Sequence, residues 1–459
     1  MFKLVENPSF VVHSSGERAL ALFPSRPFWV AGGRSLLEAV QELNGLKGLD
    51  SLNPQKKQLA QLLVDAQVLR CDEDHVLSHT DIEPHAQLHD VESILIISLT
   101  EGCNLACPHC YADAHHRNKN EMTTVQVFNV LHQVTKLPWG PNESSIGLIG
   151  GEPLIRRDIL EITDRINELG YEIVLSTNGL LLSDKHISRF RNYRIKVSIS
   201  LDGPSASVHE DIRGLGTFDR TVKAIQRLVS AGIPVGVNTF VHEGNFEHLA
   251  DIFVLAVKLG VQSLNINTLM YVGRGLNGEI KPVPRPKLYR RIFEIVKDEP
   301  AFLNLIHKSN FANKVVAVRG GLKSRYCGIG TNRALYVRSD GTLYPCGDTC
   351  IPDFQLADLN SDDLSEVWNS SQKLKELRRL DIDQMNSTCA VCDVRYYCAG
   401  DCRGEHYQKT GQFLSPHFKC QEIRESILEI MWMLSEKPDF LLDRTDEVVE
   451  KARIISSEE

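Results

Sequence analysis

The sequence has no apolar run near the roughly 20 residues that a membrane-spanning helix needs. It also lacks an excess of basic charge. Its 51 Lys and Arg stand against 59 Asp and Glu, a formal net charge of −8. A mildly acidic chain is a poor match for a nucleic-acid binder held by bulk charge. The opening residues, Met1 to Glu6, do not have the basic-then-apolar order of a secretory signal. Low-complexity segments are missing as well. Together these absences predict a cytoplasmic protein with no membrane or nucleic-acid partner. The chain has 459 residues, 42 % hydrophobic and 24 % charged, a globular mixture. At about 150 residues per domain, such a length suggests roughly two to four units. What stands out is cysteine, twelve in all.

Eleven of the twelve fall into two groups, one near residue 105 and one across 327–420. With no signal toward an oxidising compartment, metal binding is the stronger reading and a disulfide framework the weaker. The metal is Zn or an iron–sulfur cluster. Cys71 stands apart at the end of an apolar, helix-like stretch and reads as a small core residue.

Residues 1–80 read as a small independent unit. Strand-like runs at Phe10–His13, Ala19–Phe23 and Phe28–Val30 are followed by helical runs at Ser35–Leu43 and Pro54–Leu69. In the second helix Leu59, Leu62, Leu63 and Ala66 share a face. A polar linker follows, at 81–92. From Ser93 on, six strand-like runs alternate with helices: Ile94–Leu99, Ile146–Ile149, Glu172–Ser176, Lys196–Leu201, Val235–Val241 and Leu264–Leu269. Six β/α units in about 200 residues predict an α/β fold whose core, 93–310, is a partial (β/α)6 barrel. Its chemistry belongs at the C-terminal ends of the strands. Past residue 310 the alternation stops. A hairpin signal at Ser339-Asp340-Gly341, a helix at Leu364–Leu380 and the densest cysteines occupy 311–425, and an amphipathic helix with a polar tail fills 426–459.

At the end of the first core strand stand Cys103, Cys107 and Cys110, spaced C-x3-C-x2-C. Three thiolates hold three irons of a [4Fe–4S] cube and leave the fourth iron open. A Zn site needs a fourth ligand, for which His109 is a candidate; a separate role for His109 is equally open. Three further motifs end successive strands: Gly150-Gly151-Glu152-Pro153, Ser176-Thr177-Asn178-Gly179 and Ser200-Leu201-Asp202-Gly203. In this order, at these strand ends, the set resembles the radical S-adenosylmethionine (SAM) enzymes. The resemblance implies that SAM binds the open iron and is cleaved to a 5′-deoxyadenosyl radical, with electrons from a flavodoxin- or ferredoxin-type reductant. It also implies that Gly150 to Pro153 contact the SAM amino group, that Ser176 and Asn178 lie in the same site, that Ser200 and Asp202 lie near its ribose or carboxylate, and that Arg213 is a carboxylate partner.

The second group reads C-x13-G-x4-C from Cys327 to Cys346, then Cys389, Cys392, Cys398 and Cys402, and finally Cys420. One or two Zn sites are the plain alternative. The seven positions resemble the SPASM domain of radical SAM enzymes that modify peptides, which implies two auxiliary [4Fe–4S] clusters and three in all. By the same resemblance Cys389, Cys392, Cys398 and Cys420 hold one, and Cys327, Cys346 and Cys402 contribute to the other. Cys350 is its expected fourth ligand; an open iron is the alternative. Asp348 is a candidate catalytic base, against the reading of a solvated loop residue.

Residues 1–80 resemble the winged-helix-like element, similar to the pyrroloquinoline quinone biosynthesis D protein, that binds leader peptides of ribosomal precursors. Its sheet edge accepts an extended peptide as an added strand. The whole then reads as a maturase that installs a thioether, C–C or C–O cross-link in a precursor peptide. The alternatives are a maturase like those of anaerobic sulfatases, and a Zn-bound scaffold without catalysis.

Overall fold

The computed structural model describes residues 2–46, 48, 52–71, 93–142, 144–327, 329 and 334–445. The expected linker at 81–92, the side chain of Cys71 and the polar tail beyond 445 lie outside the described residues.

The N-terminal unit pairs β1 (Phe2–Leu4) and β2 (Ser9–Val12) with later segments. β2 forms an antiparallel meander with β3 (Arg18–Phe23) and β4 (Phe28–Gly33). β1 pairs with β5 (Leu69–Cys71). The helix Leu36–Leu43 buries Leu36, Ala39, Val40 and Leu43, one continuous stripe. The helix Pro54–Asp65 starts at Asn53, whose side chain accepts from the Lys56 amide, with Pro54 in the first turn. It ends four residues earlier than the periodicity predicts. Gln67 turns into the left-handed region at φ 56°, and Val68 and Leu69 are buried as the chain enters β5. The helix buries Ala60 and Leu63, with Leu59 and Ala66 packed against the same cluster, and leaves Leu62 exposed.

This unit is less independent than the sequence suggests. Alternation along β3 sends Ala21 and Phe23 to the unit's own helices, while Leu20 and Leu22 enter the main core. Trp29 Nε1 donates to the Val318 carbonyl at 2.9 Å, and His13 packs edge-on against Trp432 at 5.0 Å.

Six parallel strands follow: β6 (Ser93–Ser98), β7 (Ser144–Ile149), β8 (Glu172–Thr177), β9 (Ile195–Ser200), β10 (Val235–Phe240) and β11 (Ser263–Asn267). They lie side by side in chain order. A doubly wound sheet reverses its strand order at a switch point; unbroken order is the topology of a partial barrel. The sequence-based strands agree with these to within about two residues.

The continuation beyond β6 has no counterpart in the sequence reading. β12 (Ala334–Val337) joins the free edge of β6 in parallel, and β13 (Thr342–Tyr344) and β14 (Ala357–Asp358) extend the sheet antiparallel. The predicted hairpin is therefore part of the core sheet. The predicted helix Leu364–Leu380 is two, Leu364–Ser370 and Gln372–Arg378, broken where Ser371 turns extended and caps the second through the Leu374 amide. The C-terminal helix Cys420–Glu436 packs against the helix Arg285–Asp298 and against β4.

Gly321 caps the helix Asn310–Gly320 at φ +60°, and a Cβ there would meet the Pro27 carbonyl oxygen at 2.5 Å. Gly321→Ala is expected to cost more than about 1 kcal/mol, since strain and clash add. Thermal unfolding with limited proteolysis checks this, with cleavage appearing first within residues 2–71.

Candidate active site

Cys103, Cys107 and Cys110 lie on the loop that leaves β6, and two glycine-bearing turns clamp that loop. On one side the Gly151 amide donates to the Thr100 carbonyl and the Glu152 amide to the Gly102 carbonyl, both at 2.8 Å. A Cβ on Gly151 would lie 2.2 Å from the Gly102 oxygen, and one on Gly150 2.4 Å from the Thr100 oxygen. On the other side the Arg274 amide donates to the Cys110 carbonyl at 3.0 Å, and its Nε to the Cys107 carbonyl at 2.8 Å. Gly273, at φ +54°, allows this approach, since a Cβ would stand 2.4 Å from the Tyr111 oxygen. Sequence reasoning missed this second clamp; Gly273-Arg274-Gly275 after the sixth strand was the available signal.

Glu152 is fully buried and accepts from the Leu154 amide, the Thr177 hydroxyl and the Asn178 amide at 2.7–3.0 Å. Burial pushes its carboxyl above the ordinary value against the pull of these donors. Asn178 Nδ2 reaches the loop at Asn104 Oδ1, 2.8 Å away. Pro153 opens the short helical turn Pro153–Ile155. Ser176 and Ser200 are partly buried on β8 and β9, where Ser176 pairs with Ser198 and Ser200 with Asn238.

Asp202 is fully buried, and both of its oxygens are engaged within the protein. Oδ1 accepts from the Phe240 amide at 2.8 Å and Oδ2 from Arg213 Nε at 2.5 Å. Burial opposes ionisation, but Arg213 and these bonds hold the carboxyl below its usual range. Arg213 in turn lies 3.8 Å from Cys107 Sγ. The expected pair is thus an aspartate that fixes an arginine, and the arginine faces the thiol.

His109 lies parallel to Phe240, with centroids 4.3 Å apart and an interplanar angle of 5°. Burial, with Arg213 nearby, lowers its pKa to about 3. It packs as a neutral aromatic ring.

The thiols sort into three sets. Burial raises the pKa of Cys103 and Cys107, and neighbouring thiols of the same loop add to it. Cys327, Cys346 and Cys402 influence one another in the same way. So do Cys392 with Cys420, Cys420 with Cys389, and Cys398 with Cys392. None of these eleven cysteines is in a disulfide. Buried thiols that repel each other's thiolates are suited to a cationic iron centre, which supplies the missing positive charge. Cys350 is one turn from Cys346, with its side chain packed beside Tyr336 and Phe354.

Asp348 is no solvated loop residue. It is partly buried, and its Oδ2 accepts from Cys402 Sγ at 3.4 Å. A Cβ on Gly404 would lie 2.5 Å from the Asp348 carbonyl oxygen, so helix Arg403–Thr410 presses directly on this turn.

A cavity of about 740 Å³ connects the two regions. His109, Tyr111, Arg213 and Phe240 line it on the side of the β6 loop, and Tyr326, Cys327, Asp348, Cys398 and Cys402 on the other. Asn238, Asn267, Asn310 and Asn313 add amide groups. Its lining cations are engaged: Arg213 by Asp202, Arg285 by Asp401 at 2.5 Å, and Lys314 by the Tyr397 carbonyl at 2.8 Å.

Residues 97–256 match the radical SAM superfamily, and residues 327–393 match SPASM, an iron–sulfur cluster-binding domain. The chain carries a radical SAM domain and a SPASM domain. Together they mark an enzyme that uses SAM and [4Fe–4S] clusters. The chain is similar to the AdoMet-dependent heme synthase of Methanosarcina barkeri, 28 % identical over 339 residues, 70 % of this chain and 94 % of that one. It is equally similar to the mycofactocin maturase MftC of Mycolicibacterium smegmatis, 28 % identical over 319 residues, 68 % of this chain and 78 % of that one. In fold it resembles Streptococcus suis SuiB bound to the precursor peptide SuiA, with TM-score 0.58, 16 % identity, 91 % of this chain and 98 % of that one. Among the described residues no helix is long and apolar enough to cross a membrane.

Arg213→Ala leaves Asp202 charged and buried without its partner, at an expected cost of about 3–5 kcal/mol. Adding Asp202→Asn is expected to recover a large part of it. Denaturant unfolding of the two single variants and the double variant checks this cycle.

Proposed function

We propose that this chain matures a ribosomally made precursor peptide by installing a cross-link, either a thioether or a C–C or C–O bond between side chains. The observation that carries the reading is the single cavity of about 740 Å³ bordered by both the β6 loop and the SPASM thiols. Its size suits one or two side chains of a bound peptide. The asparagine amides suit peptide groups, which both donate and accept.

In this reading Cys103, Cys107 and Cys110 hold the SAM-binding cluster. Cys389, Cys392, Cys398 and Cys420 hold one auxiliary cluster, and Cys327, Cys346 and Cys402 with Cys350 hold the other. Arg213, fixed by Asp202, takes the SAM carboxylate, while Gly150 to Pro153, Ser176, Asn178 and Ser200 shape the SAM pocket. When bound, SAM and its cluster supply a carbon radical that abstracts one hydrogen atom. The cavity wall orients the peptide and excludes water. The Asp348 carboxylate would accept the second hydrogen as a proton, and the auxiliary cluster that Cys327, Cys346 and Cys402 would hold would supply a one-electron acceptor for the remaining electron. Each cross-link thus removes two hydrogens from the peptide. The leader docks on the N-terminal unit as a strand added to the edge of β2, which is paired only through β3 among the described residues. A flavodoxin- or ferredoxin-type protein supplies electrons.

The heme synthase relative gives a second reading, a tetrapyrrole substrate. The cavity favours the peptide, because Arg285 and Lys314 are held within the protein and Arg213 is assigned here to SAM, which leaves little to hold tetrapyrrole carboxylates.

Anaerobic reconstitution is expected to give about twelve irons per chain, four for each cube, and reductant-dependent 5′-deoxyadenosine. Co-expression with a candidate precursor peptide is expected to yield peptide lighter by two hydrogens per cross-link, read by mass spectrometry. Zn without SAM cleavage overturns the reading, and conversion of a tetrapyrrole with no peptide change replaces it.

Val12, exposed at the end of β2, gives a finer test than deletion of the unit, because Leu20 and Leu22 belong to the main core. Val12→Asp is expected to weaken precursor binding at least about tenfold. SAM cleavage without peptide stays unchanged. Equal affinity in a titration with labelled precursor excludes docking at this edge.

A further inference from the structure

The cavity wall near the auxiliary thiols carries two phenols, Tyr326 and Tyr397, whose hydroxyls have no hydrogen-bond partner among the described residues. Both residues are more than nine-tenths buried, at 7 % and 4 % exposure. An unpaired buried hydroxyl costs about 1–3 kcal/mol. Two of them on one wall point to acceptors that the polypeptide does not supply.

The two differ in what they face. Tyr326 directly precedes Cys327 and packs in one apolar cluster with Cys327, Cys346 and Cys389. It lines the cavity together with Cys327 and Cys402. Tyr397 precedes Cys398 and packs in the main core, on the side of Cys392 and Cys398. A phenol hydroxyl carries a donor hydrogen, which Tyr326 can offer to an acceptor. The acceptors in its direction are sulfur.

We propose that the Tyr326 hydroxyl donates a hydrogen bond to a sulfur of the cluster held by Cys327, Cys346 and Cys402, and so raises the reduction potential of that cluster. The inference rests on the ligand set proposed above. A hydrogen bond to sulfur stabilises the reduced, more negative form, which makes the cluster a better electron acceptor. That suits a maturation in which the peptide is oxidised. Tyr326 is in this sense a positioning and tuning residue and takes no part in bond making.

The test compares the reconstituted full chain with Tyr326→Phe and Tyr397→Phe, using iron content and an EPR-monitored redox titration. All three are expected to hold about twelve irons. In Tyr326→Phe the potential of one auxiliary cluster is expected to fall by about 59 mV, a tenfold change in a one-electron equilibrium, with altered g-values. Tyr397→Phe is expected to match the parent chain. An unchanged potential in Tyr326→Phe overturns the proposal. A loss of about four irons in that variant also overturns it, because the residue would then be holding the cluster. A parent chain with only about eight irons removes the ligand set itself and the proposal with it.

Discussion

The parallel pairing of β12 with β6 fixes the relation between the two cysteine regions. The first loop leaves β6 and the first auxiliary turn leaves β13, and both strands belong to one hydrogen-bonded sheet. Arg338 at the hairpin bonds Glu101 at 2.6 Å, and the Met122 amide donates to the Ser339 carbonyl at 2.7 Å, so the hairpin is tied to the segment just before Cys103. A flexible tether would leave the distance between the thiol sets open. A shared sheet makes it a property of the fold, and the cavity between them can then be shaped by a few side chains.

Much of this was legible because spacing encodes it. Period-two runs and short connections gave the six strands in order, and the cysteine spacings gave two groups, the second of which only the family resemblance divided further. The glycines at 150 and 151 were legible as a motif, and the structure supplies their physical reason, which is backbone contact with the β6 loop. Other features depend on partners far along the chain. No local pattern in Ala334–Val337 says that its neighbour is Ile94–Ile97, and none in Gly273-Arg274 says that it clamps Cys107 and Cys110. Asp202 was singled out as a site residue, yet its neighbours in the sequence do not show that Phe240 and Arg213 take both its oxygens. Leu62 illustrates the opposite error. The helical pattern was sound, and Leu59, Leu63 and Ala66 do pack on the unit's core, but Leu62 stays exposed.

Buried charge is handled by pairing throughout the site. Asp202 holds Arg213, Asp401 holds Arg285, and Glu405 holds Lys419 at 2.7 Å while accepting the Tyr271 amide. Such pairs add little net stability, because desolvation offsets much of the attraction, but they are expensive to break one partner at a time. Their value here is geometric. Each fixes an arm of the cavity wall, and together they leave its interior close to neutral and rich in aromatic rings and amides.

The helix Asn310–Gly320 joins this cavity to the N-terminal unit. Its first turns present Asn310, Phe311, Asn313 and Lys314 to the cavity, while Val318 accepts from Trp29 and Gly321 meets Pro27 at the other end. Buried residues of β3 pass into the same core as this helix. A close-packed core transmits displacement poorly absorbed by voids. A peptide strand added at β2 therefore acts on a sheet that is locked, through Trp29 and the helix, to the wall of the cavity where the rest of that peptide would lie. If a peptide docks there, this helix of eleven residues is one physical link between docking and chemistry, beside the C-terminal helix that packs on β4.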